Sequence, residues 1–415
     1  MRVMVLGAGV IGTTCAYYLA KAGHEVVVVE RESGPALSTS FANAGGICPG
    51  FAGPWAAPGM PRKIARWLFA RHAPVALRPR LDPHQWWWVA RFLRNCSPER
   101  FARNKTRMQR IAHYSKACIT ELRAETGIAF DHGTDGVLQL FRTEAEFAGA
   151  EKSARVLAQF GVAYRIVDAR EVLAIEPALR TAAVTFAGGL HLPEDETGDC
   201  HKFTVALADI LRQRGVALRY GTTVQRLLRE DTRIAGVVTD RGTLTADAYV
   251  VALGSAAAPM LRSLGIDLPI YPVKGYSLTI NLDGEMPAPR SSVMDEHYKV
   301  MITRLGTRLR VAGIAEIAGY DVSIRPSGPA TVLQSLRELF PEVAKHGAVG
   351  AWAGLRPMTP DGPPYLGRTG IGNLFVDVGH GSNGWTQACG CGRVVADIVS
   401  GRQPEIDLEG FGIDR

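Results

Sequence analysis

Thirty residues at the head of the chain, MRVMVLGAGVIGTTCAYYLAKAGHEVVVVE, admit few folds. Arg2 to Leu6 reads as a short buried strand. Gly7, Gly9 and Gly12 follow as G-x-G-x-x-G, then a helical pattern through Ala16, Tyr17, Leu19 and Ala20, then a second apolar strand, Val26 to Val29, ending at Glu30. Each glycine has a physical reason. Gly7 permits the tight turn, Gly9 lets the backbone approach a pyrophosphate, and Gly12 lets helix and strand pack closely. Val10 and Ile11 stand at the helix N-terminus, where free N–H groups and a partial positive charge favour phosphate. Glu30 lies at the distance where a carboxylate accepts hydrogen bonds from a ribose, with Arg31 beside it. The strand–turn–helix–strand context is what makes this fingerprint specific for a dinucleotide.

At 415 residues the chain exceeds one ordinary core, so two or more domains are expected. Hydrophobic residues at 47% and charged residues at 21% describe a globular protein, and a net charge of +7 favours anionic partners. No helix-turn-helix, zinc-finger or ribonucleoprotein signature accompanies the charge, so no nucleic acid is expected. The seven cysteines (Cys15, Cys48, Cys96, Cys118, Cys200, Cys389, Cys391) form no C-x-x-C pair, which predicts free thiols and no metal site. A strand starting at the second residue leaves no cleavable leader to be expected, and no apolar run reaches the length of a membrane span.

Further along, Ser38 to Gly46 is a small, polar, glycine-rich loop able to fold against a large ligand. Residues 61–110 carry thirteen basic residues against two acids, with Trp67, Trp86, Trp87 and Trp88 among them and Trp55 just before. Ile64, Trp67 and Leu68 can share a helical face, as can Trp86, Val89, Ala90 and Leu93. Two readings stand: an interfacial anchor on anionic lipid, or tryptophans in a core beneath a solvated arginine face. A helical stretch is expected from about Phe101 to Glu125 and another from Glu144 to Phe160. Ala248 to Ser255 is a buried strand ending in small residues, with Gly254 at a second close approach. Near the other end, Leu374 to Val378 runs into Gly379-His380-Gly381-Ser382-Asn383-Gly384 and a helix of small residues, a second strand–glycine–helix corner. Its helix N-terminus can stabilise negative charge on a cofactor ring.

Four blocks, the N-terminal fingerprint, STSFANAGGICPGFAGPWAAPG, LHLPEDETGDC and WAGLRPMTPDGPPYLGRT…FVDVGHGSNGWTQACGCG, together resemble the D-amino-acid oxidase superfamily of FAD enzymes. Within it the likeness is greatest to the bacterial branch that dehydrogenates D-amino acids. The resemblance implies an α/β chain: a Rossmann-like FAD-binding domain from 1–60, 184–265 and 355–415, and an α+β substrate domain with a large mixed sheet from 61–183 and 266–354. It implies oxidative deamination of D-amino acids, D-alanine by default, with hydride transfer to flavin N5. The electrons would pass to a respiratory quinone, with the protein peripheral on the cytoplasmic side of the bacterial inner membrane. An oxygen-using amine oxidase and a non-catalytic flavoprotein subunit are the alternatives. Gly7, Gly9, Gly12 and Glu30 would hold the ADP half, Ser40, Asn43, Ala44, Gly45 and Gly46 would wrap pyrophosphate and ring, and Val224 would meet adenine. The loop Gly379, Gly381, Ser382, Asn383, Gly384 would face the flavin pyrimidine. FAD is expected to be non-covalent. For the substrate carboxylate a planar arginine fork is the best partner. Arg304 is the first candidate and Arg356 the second, with Tyr276, Tyr298 and His380 as possible hydrogen-bonding groups.

Overall fold

The computed structural model describes every residue except 68–71, 151–153, 155–156, 285 and 291. Leu68 of the expected apolar face, and part of the expected helix Glu144 to Phe160, therefore lie outside the described residues; Glu144–Phe147 is helical.

The first strand, Arg2–Leu6, occupies an interior place in a six-stranded sheet. It pairs in parallel with Glu25–Val29 on one side (Val5 opposite Val28) and with Ala248–Val251 on the other (Val5 opposite Val250). Leu374–Val378 pairs next to Ala248–Val251, so the two glycine corners at opposite ends of the sequence lie two strands apart. Strands buried on both faces need continuous apolar runs, and VMVL, VVVV, YVV and LFV supply them. Helix α1 (Val10–Lys21) and the C-terminal helix Gly384–Val399 pack side by side on this sheet. Glycine in the C-terminal helix allows it. A Cβ on Gly392 would come within 2.8 Å of the Cys15 backbone nitrogen, and Thr14 Oγ1 donates to the Ala388 carbonyl at 3.0 Å.

The second sheet has nine strands. Its central members are Tyr271–Asn281, Arg308–Ile317 and Val300–Leu305, antiparallel to one another, with Gly350–Met358 on the outer side of Tyr271–Asn281. One face is closed by the helix Ser327–Leu339, whose Val332, Leu336 and Leu339 pack on Leu278, Ile302 and Val311. Alternation along each strand then directs the other residue set toward the nucleotide-binding sheet.

Two expected boundaries shift. Gly188–Leu192, assigned by sequence to the FAD-binding segment 184–265, pairs with Val137–Phe141 and Arg165–Asp168 in the nine-stranded sheet. Gly350–Met358 runs unbroken through the expected division at 354/355. Helices α2 (Met60–Trp67), α3 (Pro83–Arg94) and α4 (Pro98–Thr126) follow the Ser38–Gly46 loop. Helix α4 was expected with the substrate domain, yet its Ile111, Cys118, Ile119 and Leu122 join the core of the six-stranded sheet. Among the described residues no helix is long and apolar enough to cross a membrane, and all seven cysteines are unpaired.

Candidate active site

One cavity of about 1220 Å³ lies between the two sheets. Its first arm is built by the head of the chain. Gly7 adopts φ +108° and carries its backbone within reach of Ala252: a Cβ there would sit 2.5 Å from the Ala252 carbonyl oxygen. Gly12 does not line the cavity. A Cβ on it would overlap the Gly7 carbonyl oxygen, so its role is to seat α1 against the turn. Glu30 lines the arm with Gly7, Gly9, Val10, Ile11 and Arg31. Its Oε2 accepts from the Ala8 N–H at 2.7 Å and its Oε1 from the Glu32 N–H at 3.0 Å, which fixes the carboxylate at the strand end.

Ser40 Oγ accepts from the Val10 N–H at 3.1 Å, and Asn43 Oδ1 from the Gly45 N–H at 3.0 Å. These bonds fold the Ser38–Gly46 loop over the start of α1, with Ser40, Asn43, Ala44, Gly45 and Gly46 all lining the cavity. Val224 and Gly254 border the same arm, Gly254 with φ +56°. From the tail, Gly381, Ser382, Asn383 and Gly384 line it at the start of the C-terminal helix. Gly379 does not; its φ of +83° turns the chain past Thr359. Two helix N-termini, one from each end of the sequence, thus open on one cavity beside a fixed carboxylate. That donor set, with backbone approaches a Cβ would block, fits a dinucleotide.

The family model for FAD-dependent oxidoreductases matches residues 2–398. The chain belongs to that family. FAD is its cofactor, and the cavity's first arm is where these residues would hold it. The chain is 50% identical over 415 residues to a D-amino acid dehydrogenase of Bradyrhizobium diazoefficiens, covering 100% of this chain and 99% of that one. It is 53% identical over 414 residues to one of Methylobacterium nodulans, covering 99% and 98%. Among solved structures, glycine oxidase from Geobacillus kaustophilus superposes with a TM-score of 0.78 at 25% identity, covering 100% and 99% of the two chains.

The arm beyond the nucleotide in this FAD-dependent oxidoreductase is lined by the nine-stranded sheet. Arg356 reaches it from Gly350–Met358. Its Nη1 donates to the Ile314 carbonyl at 2.9 Å, and its guanidinium lies 5.7 Å from the centre of the Trp55 ring. No carboxylate among the described residues pairs with it, and burial lowers its pKa to about 10, so it stays charged at neutral pH. Two backbone features make its place. Gly275 leaves a gap that the guanidinium fills: a Cβ there would overlap Nη1 and Nη2 and lie 2.5 Å from Cζ. Ile314, a β-branched residue at φ +63°, lies within a register shift between Tyr271–Asn281 and Arg308–Ile317, and its carbonyl is the one Arg356 binds. A left-handed β-branched residue is strained, and such strain concentrates at working sites.

Arg304 is elsewhere. Along Val300–Leu305, Met301 lines the cavity, so alternation turns Ile302 and Arg304 to the opposite face. Ile302 is covered by the helix Ser327–Leu339, while Arg304 is exposed at the strand end, its Nε donating to the Gly306 carbonyl at 3.3 Å. Tyr298 lies in the turn before this strand, not in it. Its hydroxyl donates to Glu338 at 3.2 Å beneath the Arg142 guanidinium, away from the cavity. Tyr276 borders the cavity, but its hydroxyl donates to the Glu316 carboxylate and its ring packs over Gly328. His380 lines the cavity, 3% exposed, with Nε2 3.0 Å from Asp377 Oδ1. Asp377, His380 and Cys391 bring one potential ligand atom each within 4.8 Å. Burial pushes the Asp377 carboxyl and the Cys391 thiol up, which favours their protonated forms over metal-binding ones.

Sequence reasoning missed Gly275, Ile314 and Asp377. Only the glycine in KGYS, interrupting an otherwise strand-like run, carried a signal.

Proposed function

We propose that the chain oxidises D-amino acids to 2-oxo acids and ammonia, with Arg356 as the carboxylate clamp. The observation that carries this reading is a half-buried guanidinium without an anionic partner among the described residues, opening on the cavity that also receives the nucleotide-binding glycines. A cation held partly out of bulk water favours a counter-ion, and an amino-acid carboxylate offers two oxygens to its planar fork. The names of the dehydrogenases with about half their residues in common support the substrate class. FAD, when bound, takes up the electron pair and α-hydrogen. The chain's own part is positional. Arg356 pins the carboxylate, Met301 and Met294 bound the cavity at the sheet face, and the two sheets exclude bulk water. A quinone receives the electrons at a membrane surface to which the protein binds peripherally. On α3, Trp86 and Leu93 are 46% and 48% exposed on one helical face, with Arg91 and Arg94 exposed nearby. Aromatic and aliphatic tips among cations suit an anionic bilayer interface.

Anaerobic titration of the holoprotein with D- and L-alanine tests the chemistry: bleaching of the flavin by the D-isomer alone is expected, and no bleaching by any D-amino acid refutes it. Pelleting with anionic but not neutral liposomes, lost in Trp86→Asp/Leu93→Asp, tests the surface. Rapid peroxide formation in air without quinone would assign the chain to oxidase chemistry instead.

A further inference from the structure

Beyond the parts that receive the nucleotide and the amino acid, the cavity of about 1220 Å³ has a further arm of distinct character. Past Arg356 and Trp55 it continues under α2 and α3, between the rings and aliphatic chains of Ile64, Trp67, Trp88, Phe92 and Phe101. Helix α2 has no fully buried residue. Met60, Ile64 and Trp67 face this arm, while Arg62, Lys63 and Arg66 are exposed. Leu93 both lines the arm and reaches solvent, and so marks a mouth on the face where Trp86 and the arginines lie.

Among the described residues, one cation, Lys105, stands in this apolar arm. Lys105, one turn of α4 beyond Phe101, lines the cavity while only 8% of its surface is exposed. Its stem passes over Gly53, where a Cβ would lie 2.9 Å from Cδ and 3.1 Å from Nζ. The loop it crosses is tied to α4 by Gln109 Nε2, which donates to the Pro49 and Ala52 carbonyls at 2.7 and 2.6 Å. Among the described residues nothing hydrogen-bonds or ion-pairs with the ammonium. Burial lowers its pKa to about 8, partly offset by the Asp195 carboxylate. An ammonium held mostly out of bulk water yet open to the cavity is free to donate to an acceptor that a ligand brings.

We propose that this arm is the binding site of a lipophilic quinone, with Lys105 as the hydrogen-bond donor to one ring carbonyl and the α2–α3 aromatics around the ring and tail. The proposal rests on the quinone reading given above. It adds where the acceptor sits and which group engages it. The chemistry matches on three counts: an apolar ring and tail need an apolar channel, a ring carbonyl needs one donor, and a molecule dissolved in lipid needs a mouth on the membrane-facing side. On reduction Lys105 gives one proton to a quinone oxygen. The electron pair and the other proton come from the reduced flavin, which returns to its oxidised form. The product is the hydroquinone, and Lys105 regains its proton from solvent at the mouth.

The test uses holoprotein reduced anaerobically with D-alanine and reoxidised by decylubiquinone or, in parallel, by ferricyanide. Lys105→Met, close in volume, is expected to raise the half-saturating decylubiquinone concentration about tenfold or more, as loss of a hydrogen bond to a charged donor requires, with the ferricyanide curve little moved. Quenching of tryptophan fluorescence by decylubiquinone, read on the oxidised protein without turnover, should weaken in step. Trp67→Ala is expected to weaken decylubiquinone more than its tail-less analogue, which keeps the proposal testable if Lys105→Met folds poorly. Equal slowing with both acceptors, an unchanged quinone response, or a defect appearing only as a raised KM for D-glutamate would overturn the assignment; the last would make the arm a pocket for acidic side chains. A parent protein reoxidised by air but not by decylubiquinone would sink the acceptor reading itself, whereas a parent and a Lys105→Met variant equally served by the quinone would sink the site alone.

Discussion

Gly275→Ala puts the carboxylate clamp to a sharp test without touching the arginine. The added methyl group would overlap both Nη atoms of Arg356, and pairing of Gly275 with Gly354 on one side, and of its neighbours Lys274 and Tyr276 with Arg308–Ile317 on the other, limits the strand's retreat. The guanidinium must move, losing its bond to the Ile314 carbonyl and the alignment of its fork. A fork that keeps its charge but loses one of two charge-assisted bonds gives up about 1.5–3 kcal/mol. At about 1.4 kcal/mol per factor of ten, KM for D-alanine should rise about tenfold to a hundredfold. The assay is anaerobic bleaching over a range of D-alanine concentrations, with flavin content checked by absorbance. D-alaninamide, which lacks the carboxylate, is the control substrate and should lose far less. An unchanged KM for D-alanine in a fully flavinated variant would refute the reasoning. So would an equal loss with the amide, because the damage would then not involve the carboxylate.

Arg304→Ala should leave KM for D-alanine within about twofold of the parent, as expected of an exposed side chain outside the cavity, and bleaching titrations would read it. Burial raises the Asp195 carboxyl to about 7, so between the ordinary aspartate value and pH 7 the folded chain holds a proton that the unfolded chain has released. Stability from this group therefore falls as pH rises through that window and levels off above it. Asp195→Asn should melt above the parent at pH 8 and lose that advantage near pH 4, as thermal unfolding would show. Trp88→Ala, which empties a site 3% exposed and breaks the Nε1 bond to the Met358 carbonyl at 2.8 Å, should cost about 3–5 kcal/mol in chemical denaturation; Trp86→Ala should cost far less.

The glycine corners were legible because each answers a backbone demand that no other residue meets. Gly7 at φ +108° and Gly12 against the Gly7 carbonyl are requirements of geometry, and geometry shows in sequence as glycine. The substrate end was not legible in the same way. Arg304 and Arg356 both belong to strands, and choosing between them needs the face each strand presents. That face is set by long-range pairing: Val273 opposite Arg356 in one case, the cavity-facing Met301 in the other. Tyr298 reads as strand by composition, yet the chain turns there, with Lys299 at φ +56°. Gly188–Leu192 looked contiguous with the acidic loop that follows it, and only its partners, far apart in sequence, assign it to the large sheet.

The basic, tryptophan-rich segment shows why its two sequence readings need not compete. On α3 the residues Trp88 and Phe92, four apart, stack with ring centroids 5.3 Å apart and turn inward. Trp86 and Leu93, seven apart, share the outward face. Trp87 sits between them, covered by the Arg91 guanidinium at 4.3 Å. A single helix therefore seals the cavity with one side and offers aromatic and cationic groups with the other. Helix α2 repeats the arrangement with Ile64 and Trp67 inside and Arg62, Lys63 and Arg66 outside. On the proposed reading, a molecule entering between these helices would meet Leu93, Phe92, Trp88, Ile64 and Trp67 along the arm that holds Lys105. On the proposed quinone reading, a lipid-facing surface and an acceptor channel on opposite sides of the same two helices would remove the need for a lipophilic acceptor to cross water.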